Sequence, residues 1–455
     1  MNIKLVKSMP ITMVIGGGLA GLAAAGALSS NGHRVILVES KGKIGGRATS
    51  FVDSASGDLI DNCQHVSMKC CTNLQYFCEK FGINHYLKDD ASMFWRTPDG
   101  QTSLFKGSGL LAPFHFAKSF LDAHFLSWQE KIRLAIGMTL LRLTKEEEDS
   151  PFLEWLANHF QSQRCIDRFW APVLISALNT PMEKVGLHYA RKVFVDVFWK
   201  NPKAYELGLP VVPLSKLYGE EVLSCLKRTG VDIRLGNPVK KICMNKASRW
   251  QVLIENSEPM DVDNIVLAVP FQRVVDLLGE LSELDPAFGL LEKLNTAPIT
   301  SVHLWFDRPI TDLPHVVLLD SIGQWMFSRG KNERGEHYYQ IVISSSAELL
   351  KSGNESVLKA VLAELPMFFR DIGKATLIRG RVVSEKQATF ESSFRVDEYR
   401  PYQKTKIPGL YLAGDYTKTG WPATMEGAVR SGYLVAEKIL ESCGEKVRCL
   451  QPDLV

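Results

Sequence analysis

Three glycines, Gly16, Gly18 and Gly21, stand between an apolar run that ends at Ile15 and a second one that begins at Leu22. The first run predicts a short buried strand and the second a helix, so the glycines form the turn between them. In such a unit the first glycine permits a tight turn, the second lets the backbone approach a phosphate, and the third lets helix and strand pack closely. The helix N-terminus then attracts an anion. The spacing predicts a loop that binds a dinucleotide pyrophosphate; a glycine-rich turn that binds nothing is the alternative.

A carboxylate follows the next apolar run, Val35-Ile36-Leu37-Val38, which predicts a second buried strand. Glu39 stands 18 positions after Gly21, where an acidic side chain is expected to hold ribose hydroxyls. It would repel a 2′-phosphate, which favours FAD or NAD over NADP. The loop that begins at Ser40 contains Gly46 and Arg47, and an arginine there suits a charge-assisted bond to the same pyrophosphate. A plain surface loop is the alternative.

The composition is that of an ordinary globular protein with no marked preference for a charged partner. Its 455 residues exceed the usual size of one hydrophobic core, so two domains are expected. With 45% hydrophobic residues and a net charge of +3, nothing calls for nucleic acid. The nine cysteines include no CxxC pair, which predicts free thiols in a reducing compartment and no metal site. Residues 1–10 do not resemble a signal peptide, and no run of about 18 apolar residues predicts a membrane span.

The glycine turn, the acidic strand end and the Gly45-Gly46-Arg47 loop, in this order, resemble the flavin-dependent amine oxidase and phytoene desaturase superfamily. The resemblance implies an FAD held without a covalent bond, and no cysteine for such a bond lies between Cys243 and Cys443. It implies an α/β fold in which a discontinuous, Rossmann-like FAD-binding domain comprises residues 1–65, 205–284 and 386–455. An interleaved α+β substrate domain comprises residues 66–204, helical in pattern from about 73 to 203, and residues 285–385, which carry strands.

The resemblance also assigns FAD contacts in the middle and at the end of the chain, at Val239, Ala268, Gly414, Asp415, Met425 and Ala428. The backbone of Val239 is expected against the adenine. Asp415 follows an apolar run that predicts a strand, which implies contact with the ribityl or phosphate groups. The helix that begins at Met425 is expected to face the isoalloxazine, where its positive dipole end would stabilise negative charge.

Two short strings narrow the resemblance to the hydroxysqualene dehydroxylase branch, the squalene-associated FAD enzymes of bacterial hopanoid synthesis. They are Asp-Asn-Cys-Gln-His at 61–65 and Ala-Leu-Asn-Thr-Pro at 177–181. Amine oxidation fits less well, because the predicted strand 299–306 lacks the lysine that amine oxidases commonly carry there, and Thr424 stands where they usually have a tyrosine. The branch implies FAD-dependent reductive dehydroxylation of hydroxysqualene to squalene.

The same resemblance implies an apolar cavity and a catalytic acid. His65 is the predicted acid that protonates the allylic hydroxyl before hydride is added; a structural histidine is the alternative. The predicted cavity residues are Gln64, Asn179, Trp421 and Thr424. A carotenoid desaturase, which moves hydride in the opposite direction, is the main alternative function. A flavin-binding partner without turnover in a squalene-making assembly is the second alternative.

The implied substrate is a lipophilic polyprenyl chain, and the sequence does not name the electron donor. Residues 104–128 are rich in apolar and aromatic side chains interleaved with lysine and histidine. Such a segment can rest in the interface of a bilayer and admit an apolar substrate; the alternative is a helical subdomain that packs on itself. The first interpretation predicts a cytoplasmic protein that is peripheral on the inner face of the cytoplasmic membrane.

Overall fold

Two large sheets organise the chain, one parallel and one mostly antiparallel. The computed structural model describes residues 10–245 and 249–454. Residues 1–9, most of the segment for which the sequence predicts no signal peptide, lie outside the described residues. The strands are, in chain order, β1 (Ile11–Ile15), β2 (Arg34–Glu39), β3 (Ser50–Val52), β4 (Leu59–Asp61), β5 (Ser67–Met68), β6 (Leu87–Asp90), β7 (Ser92–Arg96), β8 (Thr102–Lys106), β9 (Leu207–Pro210), β10 (Asp232–Leu235), β11 (Val239–Met244), β12 (Trp250–Ile254), β13 (Met260–Val262), β14 (Asn264–Leu267), β15 (Thr296–Phe306), β16 (His315–Leu318), β17 (Trp325–Lys331), β18 (His337–Ser344), β19 (Leu377–Phe390) and β20 (Leu410–Leu412).

The helices fill the connections between these strands and cover the parallel sheet. In chain order they are α1 (Leu19–Ser30), α2 (Thr72–Lys80), α3 (Ala117–Leu121), α4 (Trp128–Leu143), α5 (Phe152–Asn158), α6 (Gln163–Cys165), α7 (Ala171–Leu178), α8 (Leu187–Lys192), α9 (Glu221–Arg228), α10 (Val274–Leu278), α11 (Ala287–Leu290), α12 (Ala347–Leu350), α13 (Asn354–Phe368) and α14 (Met425–Ser442). None of the helices in the described ranges has the length and apolar character that a membrane crossing requires.

The parallel sheet has the strand order β10-β2-β1-β14-β20, with β1 at its centre. Both faces of β1 are buried: Val14 packs with α1 and α14, whereas Met13 and Ile15 belong to the core on the opposite face. Burial on both faces explains why β1 reads as a continuous apolar run instead of an alternating one. The strand, glycine turn and helix predicted at the start of the chain are confirmed, as is the second strand that ends at Glu39.

The second layer is a seven-stranded sheet in the order β19-β15-β18-β17-β16-β7-β8. The strands expected within residues 285–385 are confirmed as β15 to β19, the last of which continues to Phe390. The helical pattern expected from 73 to 203 is wrong in part, because β6, β7 and β8 lie in this range. Met93 and Trp95 on β7 are buried while their neighbours are more exposed. That period of two is typical of a half-buried strand.

A short hairpin, β3 and β4, ties the start of the chain to the seven-stranded sheet. Each of its acidic residues forms an ion pair with an arginine of that sheet or its turn: Arg329 lies 3.0 Å from Asp61, Arg334 lies 2.5 Å from Asp58, and Arg381 lies 3.3 Å from Asp53. These pairs fasten the hairpin, which ends at Asp61, to the seven-stranded sheet. The domain boundaries themselves stay a prediction.

Candidate functional site

A cavity of about 840 Å³ lies at the carboxyl ends of β1, β2 and β14 and extends toward the seven-stranded sheet. It brings together residues from the beginning, middle and end of the chain. Of the residues predicted from the sequence, those that line it are Gly16, Gly18, Glu39, Ser40, Gly46, Arg47, Gln64, His65, Asn179, Val239, Ala268, Gly414, Asp415, Trp421, Thr424, Met425 and Ala428. Crevices outside the carboxyl ends of parallel strands are where such folds bind ligands.

Gly21 is the predicted site residue that does not line this cavity. It lies on α1 directly beneath the turn, and a Cβ atom there would stand 2.0 Å from the carbonyl oxygen of Gly16. Gly16 itself has φ +114° and donates its N–H to the carbonyl of Val38 over 2.8 Å. Gly21 therefore serves the close packing of helix on strand, as its position in the motif predicts.

The N-terminus of α1 opens into the cavity with its backbone N–H groups uncapped. Gly18 occupies the cap position, forms no side-chain cap, and no acidic residue stands in the first turn. Gly46 approaches from the second loop so closely that a Cβ there would lie 3.0 Å from the Gly18 Cα. The result is a concave surface of backbone that favours an anionic group such as a pyrophosphate.

Glu39 closes the glycine turn from the side of β2. Its Oε2 accepts a hydrogen bond from the Gly17 N–H over 2.7 Å, and its Oε1 accepts one from the Lys41 N–H over 2.8 Å. The hydroxyl of Ser40 donates to Oε1 over 3.1 Å. The carboxylate is thereby held at the edge of the cavity, where the motif predicts a ribose contact.

An ion pair joins the loop after β2 to the loop after β20. Nη2 of Arg47 lies 2.7 Å from Oδ1 of Asp415, and Nη1 donates to the carbonyl of Ala388. The Asp415 side chain is 8% exposed and that of Arg47 is 41% exposed. The Asp415 carboxylate raises the pKa of Arg47, so the guanidinium provides a fixed positive charge at the cavity wall.

The N-terminus of α14 also points into the cavity. Thr424 caps it, because its hydroxyl accepts a hydrogen bond from the Gly427 N–H over 3.1 Å. Glu426 is fully buried and accepts the Leu74 N–H over 2.7 Å, which fastens α2 to α14. Burial raises the pKa of Glu426. Thr424 was predicted only as a cavity residue, and the structure shows that it also caps α14. The positive end of this 18-residue helix faces the site.

His65 lines the cavity that also contains the backbone cradle and the apolar walls. Its Nδ1 is 3.0 Å from the carbonyl oxygen of Cys63, and a carbonyl can only accept, so Nδ1 carries the proton. Burial lowers the pKa of His65, which makes the neutral ring the main species near pH 7 and the imidazolium a stronger acid. Nε2 is the atom left to exchange a proton with the cavity.

Gln64 is held by an arginine that the sequence analysis missed. Nη1 of Arg329 donates to Gln64 Oε1 over 2.7 Å, while Nη2 pairs with Asp61. The same Asp61 accepts hydrogen bonds from the Ser50 hydroxyl and the Leu214 N–H. This network fixes the backbone on which His65 stands. Arg329 is 265 positions away from Gln64, and no local pattern marks it.

Asn179 ends α7 with φ 49°, in the left-handed region. Its amide nitrogen donates to the Ala297 carbonyl and to the Thr389 hydroxyl, and its oxygen accepts the Ser345 N–H. The amide therefore joins three segments around the cavity. Its hydrogen-bonding groups are used within the protein, so its contribution to the cavity is shape.

A charged pair next to Trp421 was also missed. Lys192 and Asp196 line the cavity, 2.8 Å apart, and Lys192 Nζ lies 4.6 Å from the centre of the Trp421 ring. The Trp421 indole donates to Asp453 over 3.3 Å. Burial alone would raise the pKa of Asp196. The positive charges and hydrogen bonds of Lys192 and Lys200 have the larger combined effect and lower this pKa. The spacing of Lys192, Asp196 and Lys200 at i, i+4 and i+8 was the available sequence signal.

The rest of the cavity, toward the seven-stranded sheet, is mostly apolar. Its walls include Met93, Trp95, Val193, Val197, Phe198, Ile299, Val317, Trp325 and Phe327. β15 contributes Ile299 and contains no lysine. A long hydrocarbon fits such walls, whereas a charged substrate would lose its hydration there without compensation.

The thiols near the cavity are free, as are all nine cysteines of the chain. Cys63, Cys70 and Cys71 line the cavity, and burial raises the pKa of Cys63 to about 12. Within residues 10–245 and 249–454, no three His, Cys, Asp or Glu side chains form a group that could hold a metal ion.

Comparison with known proteins agrees with this geometry. The family described as flavin containing amine oxidoreductase matches residues 19–440. The 15-cis-phytoene desaturase of Solanum lycopersicum is 27% identical over 472 residues, which cover 95% of this chain and 78% of the relative. The hydroxysqualene dehydroxylase of Zymomonas mobilis is 26% identical over 440 residues, which cover 95% of this chain and 99% of the relative. The crystal structure of an oxidoreductase from Methanosarcina mazei has a TM-score of 0.73 at 17% identity, over 95% of this chain and 100% of that chain.

The cavity fits the flavin that this family implies. The uncapped N-terminus of α1, the backbone cradle of Gly18 and Gly46, and the Arg47 guanidinium suit the phosphates, and Glu39 suits a ribose. The fold also agrees, because the parallel sheet places these groups along one edge. A match that spans residues 19–440 covers most of the sequence. The chain belongs to the flavin-containing amine oxidoreductase family of enzymes.

Proposed function

We propose that the protein is an FAD-dependent enzyme that converts hydroxysqualene to squalene by reductive dehydroxylation. The observation that carries the proposal is a single cavity that contains both the backbone cradle and a largely apolar chamber, and that His65 also lines. The relative from Zymomonas mobilis, whose name is hydroxysqualene dehydroxylase, matches over 99% of its own length. In the Asp-Asn-Cys-Gln-His string that suggested this branch, the residues from Asn62 to His65 line the cavity, and Arg329 holds Asp61 and Gln64.

The reaction replaces a carbon–oxygen bond by a carbon–hydrogen bond. Bound FAD, held without a covalent bond, would supply the hydride in its reduced form. The chain's own residues have three tasks: to hold the cofactor, to protonate the departing hydroxyl so that it leaves as water, and to keep other water away. The apolar walls serve the last task, because water that reached the allylic cation would restore the alcohol.

His65 is the proposed proton donor. Since burial lowers its pKa, only a minority of molecules carry the imidazolium at pH 7, and that minority falls about tenfold for each further pH unit. The single-turnover rate should therefore rise as the pH falls from 8 toward 6. His65→Gln should lower the rate and flatten this profile. A full rate with an unchanged profile in His65→Gln would overturn the assignment.

The proposal is tested with enzyme reduced by dithionite and mixed anaerobically with hydroxysqualene. Squalene formation supports it, and the test does not depend on the identity of the natural electron donor. Absence of squalene, with no reaction of the oxidised enzyme on phytoene either, would leave a flavin-binding protein without turnover and would refute the proposal.

Desaturation of a polyene is the second candidate, favoured by the phytoene desaturases among the relatives, such as the 27% identical protein of Solanum lycopersicum. The same apolar chamber would hold phytoene. In that case the oxidised enzyme, incubated with phytoene and an electron acceptor, would yield a desaturated product and hydroxysqualene would remain unchanged. The two substrates therefore separate the two functions in one set of incubations.

A further inference from the structure

A single cation interrupts the apolar part of the described cavity wall. This part, here called the substrate end, is the wall that residues 66–204 and 285–385 form. Within the described chain, its charged lining residues are Lys192, Asp196 and Glu385, and Lys192 alone is positive. The other lysines and arginines of the wall follow β2 or β14, where the backbone cradle lies; they are Lys41, Lys43, Arg47 and Arg273. A positive charge at the substrate end is therefore separate from the groups that suit the cofactor phosphates.

Three neighbours fix the ammonium group of Lys192. Its Nζ donates a hydrogen bond to Asp196 Oδ2 over 2.8 Å, lies 3.7 Å from Asp453 Oδ2, and stands 4.6 Å from the centre of the Trp421 ring. Asp196 is itself held by Lys200, whose Nζ lies 2.9 Å from its Oδ1. The side chain of Lys192 is 15% exposed. A flexible side chain is thereby kept in one place, so a ligand that binds it does not have to order it.

The backbone around Lys192 is irregular. Helix α8 ends at Lys192 and continues directly as a π-helical turn, Val193–Val197. Such turns, with their wider i to i+5 hydrogen bonds, are rare and occur frequently at functional sites. This turn places the side chains of Val193 and Val197 in the same wall as Lys192 and Asp196. One short segment thus presents both apolar and charged groups to whatever fills the cavity.

Lys192 has hydrogen-bonding capacity that the described chain does not use. An ammonium group carries three N–H donors. Among the described residues, Asp196 accepts one of them, whereas Asp453, at 3.7 Å, is beyond hydrogen-bonding distance. Water can satisfy the other donors in the free enzyme, but a long hydrocarbon that fills the cavity would exclude that water. A buried donor without a partner is unfavourable, so a ligand with an acceptor at this point is preferred to one without.

The acceptor that suits this place is a neutral oxygen on an otherwise apolar chain. Asp196 and Asp453 already neutralise the ammonium, so a carboxylate or a phosphate gains no net attraction here. A hydroxyl group matches the pair, because its oxygen accepts an N–H from Lys192 and its O–H donates to the Asp196 carboxylate, which has lone pairs to spare. The oxygen keeps a second lone pair for the proton that breaks the carbon–oxygen bond.

We propose that Lys192, positioned by Asp196, binds the hydroxyl group of a hydroxylated polyprenyl substrate and distinguishes that substrate from its hydrocarbon product. The inference rests on the proposed function, in which hydroxysqualene is the substrate and squalene the product. Once the hydroxyl has left as water, squalene offers no acceptor to the Lys192 ammonium. The product is therefore released more readily than the substrate, and a long polyene without oxygen competes poorly for the chamber.

The experiment measures binding without turnover. Oxidised, FAD-loaded protein, which has no hydride to give, is titrated with hydroxysqualene and separately with squalene, and the change in the flavin absorption spectrum gives each Kd. The unchanged protein should bind hydroxysqualene about 10- to 100-fold more tightly than squalene. Lys192→Met should lose this preference. Equal Kd values in the unchanged protein, or a full preference in Lys192→Met, would overturn the proposal.

Lys200→Met is the matched control, because Lys200 pairs with the same carboxylate but does not line the cavity. It should keep the full preference. Lys192→Gln, whose amide donates a weaker, uncharged hydrogen bond, should show an intermediate preference. A lysine with a structural role alone would change both Kd values by one factor and leave their ratio as it was, which would overturn the proposal. Flavin content and melting temperature verify that each variant is folded.

Turnover is measured separately, so that this inference and the proposed function can fail independently. If the dithionite-reduced protein forms squalene but binds both compounds equally well when oxidised, Lys192 is not the hydroxyl site and the proposed reaction stands. If the preference is present and depends on Lys192 but the reduced protein forms no squalene, the hydroxyl site stands and the proposed reaction is refuted.

Discussion

Replacing Arg47 by methionine tests the most specific feature of the cofactor site. The change removes the positive charge from the cavity wall and leaves the buried Asp415 carboxylate without its partner. Both effects disfavour an anionic ligand. A hydrogen bond to a charged group is worth about 1.5–3 kcal/mol, and because the Arg47 side chain is 41% exposed, the lower part of this range applies. A loss of about 1.5–2 kcal/mol corresponds to a Kd for FAD raised about 10- to 30-fold.

The chain offers a closely matched control for this variant. Arg381 is 47% exposed and pairs with Asp53, whose side chain is 4% exposed, but neither residue lines the cavity. Arg381→Met should therefore change the stability of the hairpin and leave the FAD affinity within about threefold. Both variants are titrated as apoprotein with FAD, and binding is followed by the quenching of flavin fluorescence. Equal Kd values for the two variants would refute the assignment of Arg47 to the cofactor site.

Two further changes address the glycine turn and the acid stability of the fold. Gly21→Ala places a Cβ 2.0 Å from the Gly16 oxygen, so we expect a loss of about 1–3 kcal/mol of stability and of bound flavin. Gly289→Ala, with open space around it, should be neutral in the same thermal melts; equal effects would contradict the packing argument. Burial, with Arg329 nearby, lowers the pKa of His303 from 6.5 to about 3. Between about pH 6.5 and pH 3, His303 is protonated in the unfolded chain but neutral in the folded chain. The free energy of unfolding therefore decreases as the pH falls through this range. Between pH 7 and pH 4, the free energy of unfolding from urea titrations should fall by about 3 kcal/mol less in His303→Gln than in the unchanged protein. Equal decreases in the two proteins would contradict this.

The cofactor half of the site could be predicted because its signals are local. Gly16, Gly18 and Glu39 belong to one strand-turn-helix-strand unit, and their spacing alone indicates what the turn binds. The C-terminal contacts at Asp415 and Met425 came from the resemblance instead, and the structure brings both to the same cavity. Their roles toward the cofactor remain predictions.

The substrate half could not be predicted in the same way, because tertiary contacts determine it. The partners of Asn179 lie on three separate segments, and nothing in its own string shows that its amide is already used. Nothing in the sequence around Arg329 indicates that its side chain donates a hydrogen bond to Gln64. β7 was missed for a different reason: its alternating pattern is only five residues long and lies in a range dominated by helices.

The position of β1 in the middle of the parallel sheet bears on how the protein is made. Its neighbour β2 begins at residue 34, but β14 begins at residue 264 and the edge strand β20 only at residue 410, whereas β1 ends at residue 15. A ribosome that adds 5–20 residues per second needs roughly 20 to 80 s to cover that interval. During that time the nascent chain already contains the glycine turn, but it lacks the cavity residues that follow β20, among them Asp415 and Met425. Capture of the nucleotide must therefore follow release of the finished polypeptide, or coincide with its last seconds.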